Sequence, residues 1–133
     1  ISDQSSGIMW SNNRIRSITG ANGTAIGTGL TKTNTIIASQ GAVATSYAAG
    51  LARAYNGGGY NDWYLPSKNE LNKLYLNKTV IGGFSSGYYF SSSEETNQWK
   101  EFDAWRQRFA DGAQESGGYG KDQQLYVRAI RSF

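Results

Sequence analysis

The chain has 133 residues with neither cysteine nor histidine, which excludes disulfides, Ser-His-Asp and Cys-His nucleophiles and most zinc sites. Its 13 basic and 10 acidic residues give a net charge of +3, too mixed a balance for a nucleic-acid protein. With 38% hydrophobic and 14% aromatic residues, the length fits a single packed domain over residues 1–133, and no run is apolar enough to insert in a membrane.

The chain opens "ISDQSSG", without a signal-peptide pattern, and reads as the C-terminal part of something longer. Its first stretch is rich in Gly, Ser, Thr and Asn, with isolated apolar points at Ile8, Trp10, Ile15, Ile18, Ile26 and Leu30. Short strands and turns are expected there, and "ANGTAIGTG" supplies the turn glycines. From Asn34 the spacing of Ile37, Val43, Tyr47, Leu51 and Tyr55 becomes helical. Asn34 or Thr35 can cap this pattern, Gly41 can break it, and "NGGG" at 56–59 stops it, so a helix is predicted over about 42–55.

The segment "GGYNDWYLPSKNELNKLY" holds the only proline of the chain. Pro66 blocks a helix from running in from upstream and biases Leu65 towards an extended conformation. Ser67 and Glu70 stand at capping-box spacing, and Leu71, Leu74 and Tyr75 form the apolar stripe of a second helix. Beyond Asn77 three strand candidates follow: "GYYFSSSE", "FDAWRQRFADG" and "QLYVRAIRSF". In the middle one, alternation sends Trp105, Gln107 and Phe109 one way and Arg106 and Arg108 the other. Two aromatics on one side predict that Trp105 and Phe109 anchor the strand and that both arginines face solvent. The glycine-rich stretch from Asp111 to Leu125 is predicted to be a long exposed connection. The sum is an α+β domain of two helices and a small antiparallel β-sheet with long irregular loops.

Chemistry has few places to sit. Glu94, Glu95, Asp103 and Asp111 include enough carboxylates for a glycosidase pair. The ordinary reading of strand-end and surface carboxylates outweighs it. Asn61 and Asp62 fall short of a dedicated calcium loop, so no metal and no cofactor are expected. Arg106 and Arg108, with Lys100 and Lys121 nearby, suit an anionic polymer, but Glu101, Asp103, Asp111, Glu115 and Asp122 nearly cancel them. Aromatics beside glycine-rich loops are the better sign of contact: Tyr88, Tyr89, Trp99 and Tyr119.

Five ordered segments resemble a known family: "AIGTGLTKTNTII", "GGYNDWYLPSKNELNKLYLNK", "IGGFSSGYYFSSSE", "AWRQRFADGAQ" and "YVRAIRSF". The chain is similar to the Lcl C-terminal domain family, departing from many members in having Tyr89-Phe90 where tyrosine-tryptophan is common. The resemblance implies a fold of the C-type-lectin and formylglycine-generating-enzyme type, without the cysteine-dependent oxidase chemistry. It implies display outside the cell, at a cell surface or on a phage particle. It makes Trp63, Leu65, Pro66, Ser67 and Glu70 scaffold rather than site.

Some similar proteins are variable proteins of diversity-generating retroelements, in which change falls between an alanine-tryptophan pair and a final valine-arginine pair. Here that window runs from Ala104-Trp105 to Val127-Arg128. Within it Arg106, Arg108, Asp111, Ala113, Ser116, Gly117, Gly118, Tyr119, Gly120 and Asp122 are all reachable by adenine changes in asparagine codons, whereas Gln107, Gln114 and Lys121 are not. The ligand-binding set taken from this reading is Arg106, Arg108, Asp111, Ala113, Ser116, Tyr119, Lys121 and Asp122, with Trp99 beside it. The favoured function is a non-enzymatic variable protein that recognises a protein or glycan. A fixed adhesin module for sulfated or anionic polysaccharide is the alternative, with a glycan-acting enzyme behind it. Homo-oligomerisation stays open.

Overall fold

In the computed structural model, residues 2–12, 18–99, 101–118 and 120–132 are described. Ile15, Lys100 and Tyr119, singled out above, lie outside them. The elements run β1 (Ser5–Ile8), α1 (Gly29–Gln40), α2 (Ala48–Ala54), α3 (Lys68–Leu76), α4 (Lys78–Ile81), β2 (Tyr88–Glu94), β3 (Ala104–Arg108), β4 (Gln114–Glu115) and β5 (Leu125–Val127). The α+β class holds. Two expectations are corrected: among the described residues there are four α-helices, not two, and the sheet is larger and mixed.

Strand order is β1-β5-β2-β3-β4. β5 lies parallel to β2, with Tyr126 beside Tyr89, while the other pairings are antiparallel. A parallel neighbour needs a long crossover between the two strands. Residues 95–124, which include β3 and β4, supply it. Neighbouring residues of β2 serve opposite faces: Phe90 joins the core of Trp10, Ile36, Tyr47, Leu65 and Val127, and Tyr89 joins Leu71 and Phe109. With both faces covered, β2 is buried almost throughout, and its serine run is internal.

α1 begins well before the expected Asn34. Its buried positions Gly29, Thr33 and Ile36 follow helical spacing, but two of the three are not apolar, so the stripe is hidden from a hydrophobicity reading. Thr33 Oγ1 accepts from the Leu65 amide at 3.0 Å and donates to the Leu65 carbonyl at 3.2 Å, which binds the helix to the corner before Pro66. Gly29 is required there, since a β-carbon would come within 2.2 Å of Glu70 and 2.8 Å of the Tyr64 ring. Gly41, at φ 72°, does end the helix. The region expected to be helical over 42–55 then forms a single 3-10 turn at Ala44–Ser46 before α2.

The corner at 63–70 is as predicted. Trp63 and Leu65 are buried, and the Trp63 indole donates to the Gly57 carbonyl at 3.0 Å. Ser67 Oγ accepts from the Glu70 amide at 3.3 Å, and Glu70 Oε1 accepts from the Ser67 amide at 2.8 Å. Both side chains also reach outside α3: Ser67 Oγ donates to the Ala25 carbonyl, and Glu70 Oε2 accepts from the Gly27 amide. The capping box therefore ties down the loop before α1 as well as the start of α3. Ser67→Ala is expected to lower stability by about 1–2 kcal/mol, read as a lower urea midpoint at unchanged slope. A loss under about 0.5 kcal/mol would show that the cap does not hold this corner.

Candidate functional site

Loops from both ends of β3 form the predicted recognition region. At the far end, Arg108 and Asp111 close the β3–β4 hairpin through two parallel hydrogen bonds, of 3.0 and 2.5 Å. The Ala113 amide donates to the same carboxylate, and Gly112 takes the turn at φ 82°. The Arg108 guanidinium holds the Asp111 carboxyl down at about 2, and the Ala113 amide adds to this. Arg108 and Asp111 are exposed enough to meet a ligand, although their first partners are each other.

At the near end, Trp99, Phe102, Asp103, Gly117 and Gly118 line a cavity of about 310 Å³. Trp99 is 50% exposed. The loop opposite is pinned from beneath at three places. Ser116 Oγ donates to Glu95 Oε2 at 2.5 Å, Arg106 Nη1 donates to the Gly117 carbonyl at 2.8 Å, and the Gly120 amide donates to Asp103 Oδ1 at 3.0 Å. Burial raises the Glu95 carboxyl, but the Ser116 hydroxyl and the Thr96 and Asn97 amides outweigh this and hold it below its ordinary value. On the outer side, a β-carbon at Gly117 would meet nothing within 4 Å.

Two expectations about β3 are corrected. Arg106 does not face solvent: it is 9% exposed, because the 116–120 loop folds over the arginine side of β3. The alternation was right, but Phe90 and Ala104 share that side and belong to the core, so both sides are covered. Trp105 is not a core anchor; it is half-buried under the ammonium of Lys68, 3.6 Å from the ring, while Phe109 is buried as expected.

Lys121, placed with the ligand-binding residues, is fully buried. Its Nζ lies 2.8 Å from Glu94 Oε2 and 4.7 Å from the centre of the Trp10 ring. Burial pushes the ammonium below its ordinary value, and Glu94 opposes that shift. Gly120 is scaffold too, since a β-carbon would press on Arg106 Nη1 at 2.8 Å. Asp122 is half-buried.

Phe102 was missed as a lining residue. Its one sequence sign is the spacing of three from Trp99, and its ring lies 6.4 Å from that indole. Tyr88 is half-buried, donates to Glu115 Oε2 at 2.5 Å, and has the Arg106 and Arg108 guanidinium groups 5.3 and 5.8 Å from its ring centre. Tyr89 is core. Among the described residues no group of acids has metal-site geometry, and no helix is long and apolar enough to cross a membrane.

The β2–β3 frame and the loops raised on it enclose the Trp99 cavity. The family model of the Lcl C-terminal domain matches residues 1–131, and the chain belongs to that family. No curated protein matches it.

Two predictions follow from these contacts. Lys121→Ala strands the Glu94 carboxylate in the interior and is expected to cost about 3–5 kcal/mol, whereas Arg108→Ala, at an exposed pair, is expected to cost far less. Denaturant titration of the two variants separates them, and equal losses would refute this division of roles. The second concerns pH. The folded Glu95 carboxyl lies below its ordinary 4.5, so its contribution is complete above that value and is lost as pH falls through the folded one. The urea midpoint should therefore fall on acidification below pH 4.5, and Glu95→Gln should reduce that dependence.

Proposed function

We propose that this is a non-enzymatic binding domain of C-type-lectin-like fold, displayed at a cell surface or on a phage particle. On this reading the loops at 99–103 and 116–118, with the Arg108–Asp111 hairpin beside them, recognise a protein or glycan. Family membership supports a surface-associated binding domain. The observation that carries the reading is the recognition loop itself: it is fastened from below by Glu95, Arg106 and Asp103, and it is open outward at Gly117, beside a half-exposed tryptophan. Such a loop can change its outer side chains without disturbing the fold, which suits a retroelement-diversified variable protein.

The non-enzymatic reading is supported by how the candidate acids are used. Glu95 and Asp111 lie below their ordinary values, whereas a general acid at neutral pH needs a raised one, and Glu94 and Asp103 engage their oxygens with Thr19, Lys121 and the Gly120 amide. The anionic-polysaccharide alternative loses two of its cations to the interior, Arg106 and Lys121. A third, Arg108, is neutralised by Asp111.

Substituting Trp99, Arg108, Asp111 and Gly117 together should leave the melting temperature within a few degrees while changing which components of a protein and glycan array are retained. Sequencing the locus across a population should show variation confined to codons of outward-facing loop residues, with Gly120 and Lys121 constant. A reverse-transcriptase gene and an imperfect copy of the 3′ end are expected nearby. Retention on heparin at physiological ionic strength, abolished by Arg108→Ala in an invariant locus, would replace this reading with the adhesin one.

A further inference from the structure

A larger cavity, of about 810 Å³, shares no lining residue with the one beside Trp99. Its floor is the final segment Arg128–Arg131, and its walls are the 57–60 turn, α3 and the end of α4. Tyr55 and Trp63 stack edge to face at 4.9 Å along one side. Tyr60 and Ile26 stand at the mouth, 51% and 59% exposed. The apolar surface continues beyond the cavity, from Ile81 to Val80, which is 89% exposed, and Leu76 lies nearby on the same pair of helices. Contiguous apolar surface of this kind marks a contact site rather than a scatter of single residues.

Charge selects the occupant. Four charged residues line the cavity: Glu70, Lys73, Arg128 and Arg131. Glu70 spends its oxygens on the Ser67 and Gly27 amides, Arg128 pairs with Asp3 at 2.8 Å, and Arg131 pairs with Asp62 at 2.7 Å. Lys73 is exposed at the wall and has no ion pair among the described residues. A second copy of the chain, docked isologously, would bring Lys73 no free carboxylate from this face, because Glu70, Asp3 and Asp62 are already engaged. A small molecule confined to the cavity would leave Val80 and Leu76 uncovered.

We infer that this groove docks a polypeptide segment of a partner protein that carries bulky apolar side chains next to a carboxylate. The apolar side chains fill the space between Tyr60, Leu74 and Ile81, and the carboxylate meets Lys73. This face shares no lining residue with the Trp99 cavity. It therefore stands whether or not the loops vary.

The test uses the intact chain and a displayed library of random dodecapeptides. Selected peptides are expected to combine Leu, Ile, Phe or Trp with adjacent Asp or Glu. Tyr60→Ala with Ile81→Ser, both exposed positions, should weaken the selected peptides at least tenfold. Lys73→Glu should weaken them too and shift selection towards Lys and Arg. No enrichment, a consensus without carboxylates, or binding indifferent to Lys73→Glu would overturn the inference. So would sedimentation showing a dimer that the Tyr60 and Ile81 substitutions dissolve. Should the double variant fail to fold, Lys73→Glu decides alone, because its side chain lies on the surface.

Discussion

Four separate stretches of chain are joined through the buried pair of Glu94 and Lys121. The Glu94 carboxylate accepts from the Thr19 amide at 2.8 Å, the Thr19 hydroxyl and the Gly20 amide at 3.0 Å, and Lys121 Nζ at 2.8 Å. The Glu94 amide in turn donates to the Ala21 carbonyl. The Lys121 carbonyl receives the Trp10 and Ser11 amides and the Ser11 hydroxyl. Burying a carboxylate and an ammonium costs several kcal/mol per ion unless the remaining hydrogen-bonding capacity is met, and here it is met closely. The pair is therefore less a source of net stability than a device that admits one arrangement of these loops, since any other leaves a charge stranded.

That constraint explains how a glycine-rich crossover can keep one position. Between Glu115 and Lys121 the chain has few apolar side chains with which to hold itself. It is held instead at its ends and from below: by the β3–β4 pairing, by Ser116 on Glu95, by Gly117 on Arg106, and by Lys121 on Glu94. Only its upper surface is left to chance. The separation of duties is sharp along the backbone, for Gly117 is open to a side chain while Gly120, three residues on, is closed by Arg106.

What could be read from the sequence follows the range of the interactions. The capping box at Ser67 and Glu70 was legible because both partners lie within one helical turn and the spacing carries the geometry. β2 was legible from its aromatic start and glycine boundary, and the alternation along β3 from its period. The fates of Arg106 and Lys121 were not. Alternation tells which residues share a side but not what covers that side, and the cover is a loop whose position depends on contacts 17 and 27 residues apart, from Gly120 to Asp103 and from Lys121 to Glu94. α1 was mislaid for a different reason. Its buried stripe uses Gly29 and Thr33 to fit against the Leu65 corner, so close packing stands where hydrophobicity was sought. The parallel β5 was beyond local pattern altogether, because strand direction is set by the crossover and not by the strand.

The placement of the two exposed aromatic regions has a mechanical consequence. The Trp99 cavity and the Tyr60 groove share no lining residue, and α3 reaches both neighbourhoods. Its first residue, Lys68, caps Trp105, and its amide is held by Ser93 of β2 at 2.9 Å, while Leu74 lines the groove. A helix capped so firmly at its start, and packed against Phe109 through Tyr75, transmits little of what happens in a surface loop. On the proposed reading, a domain organised in this way presents a changeable surface to its environment while keeping a constant one for a partner.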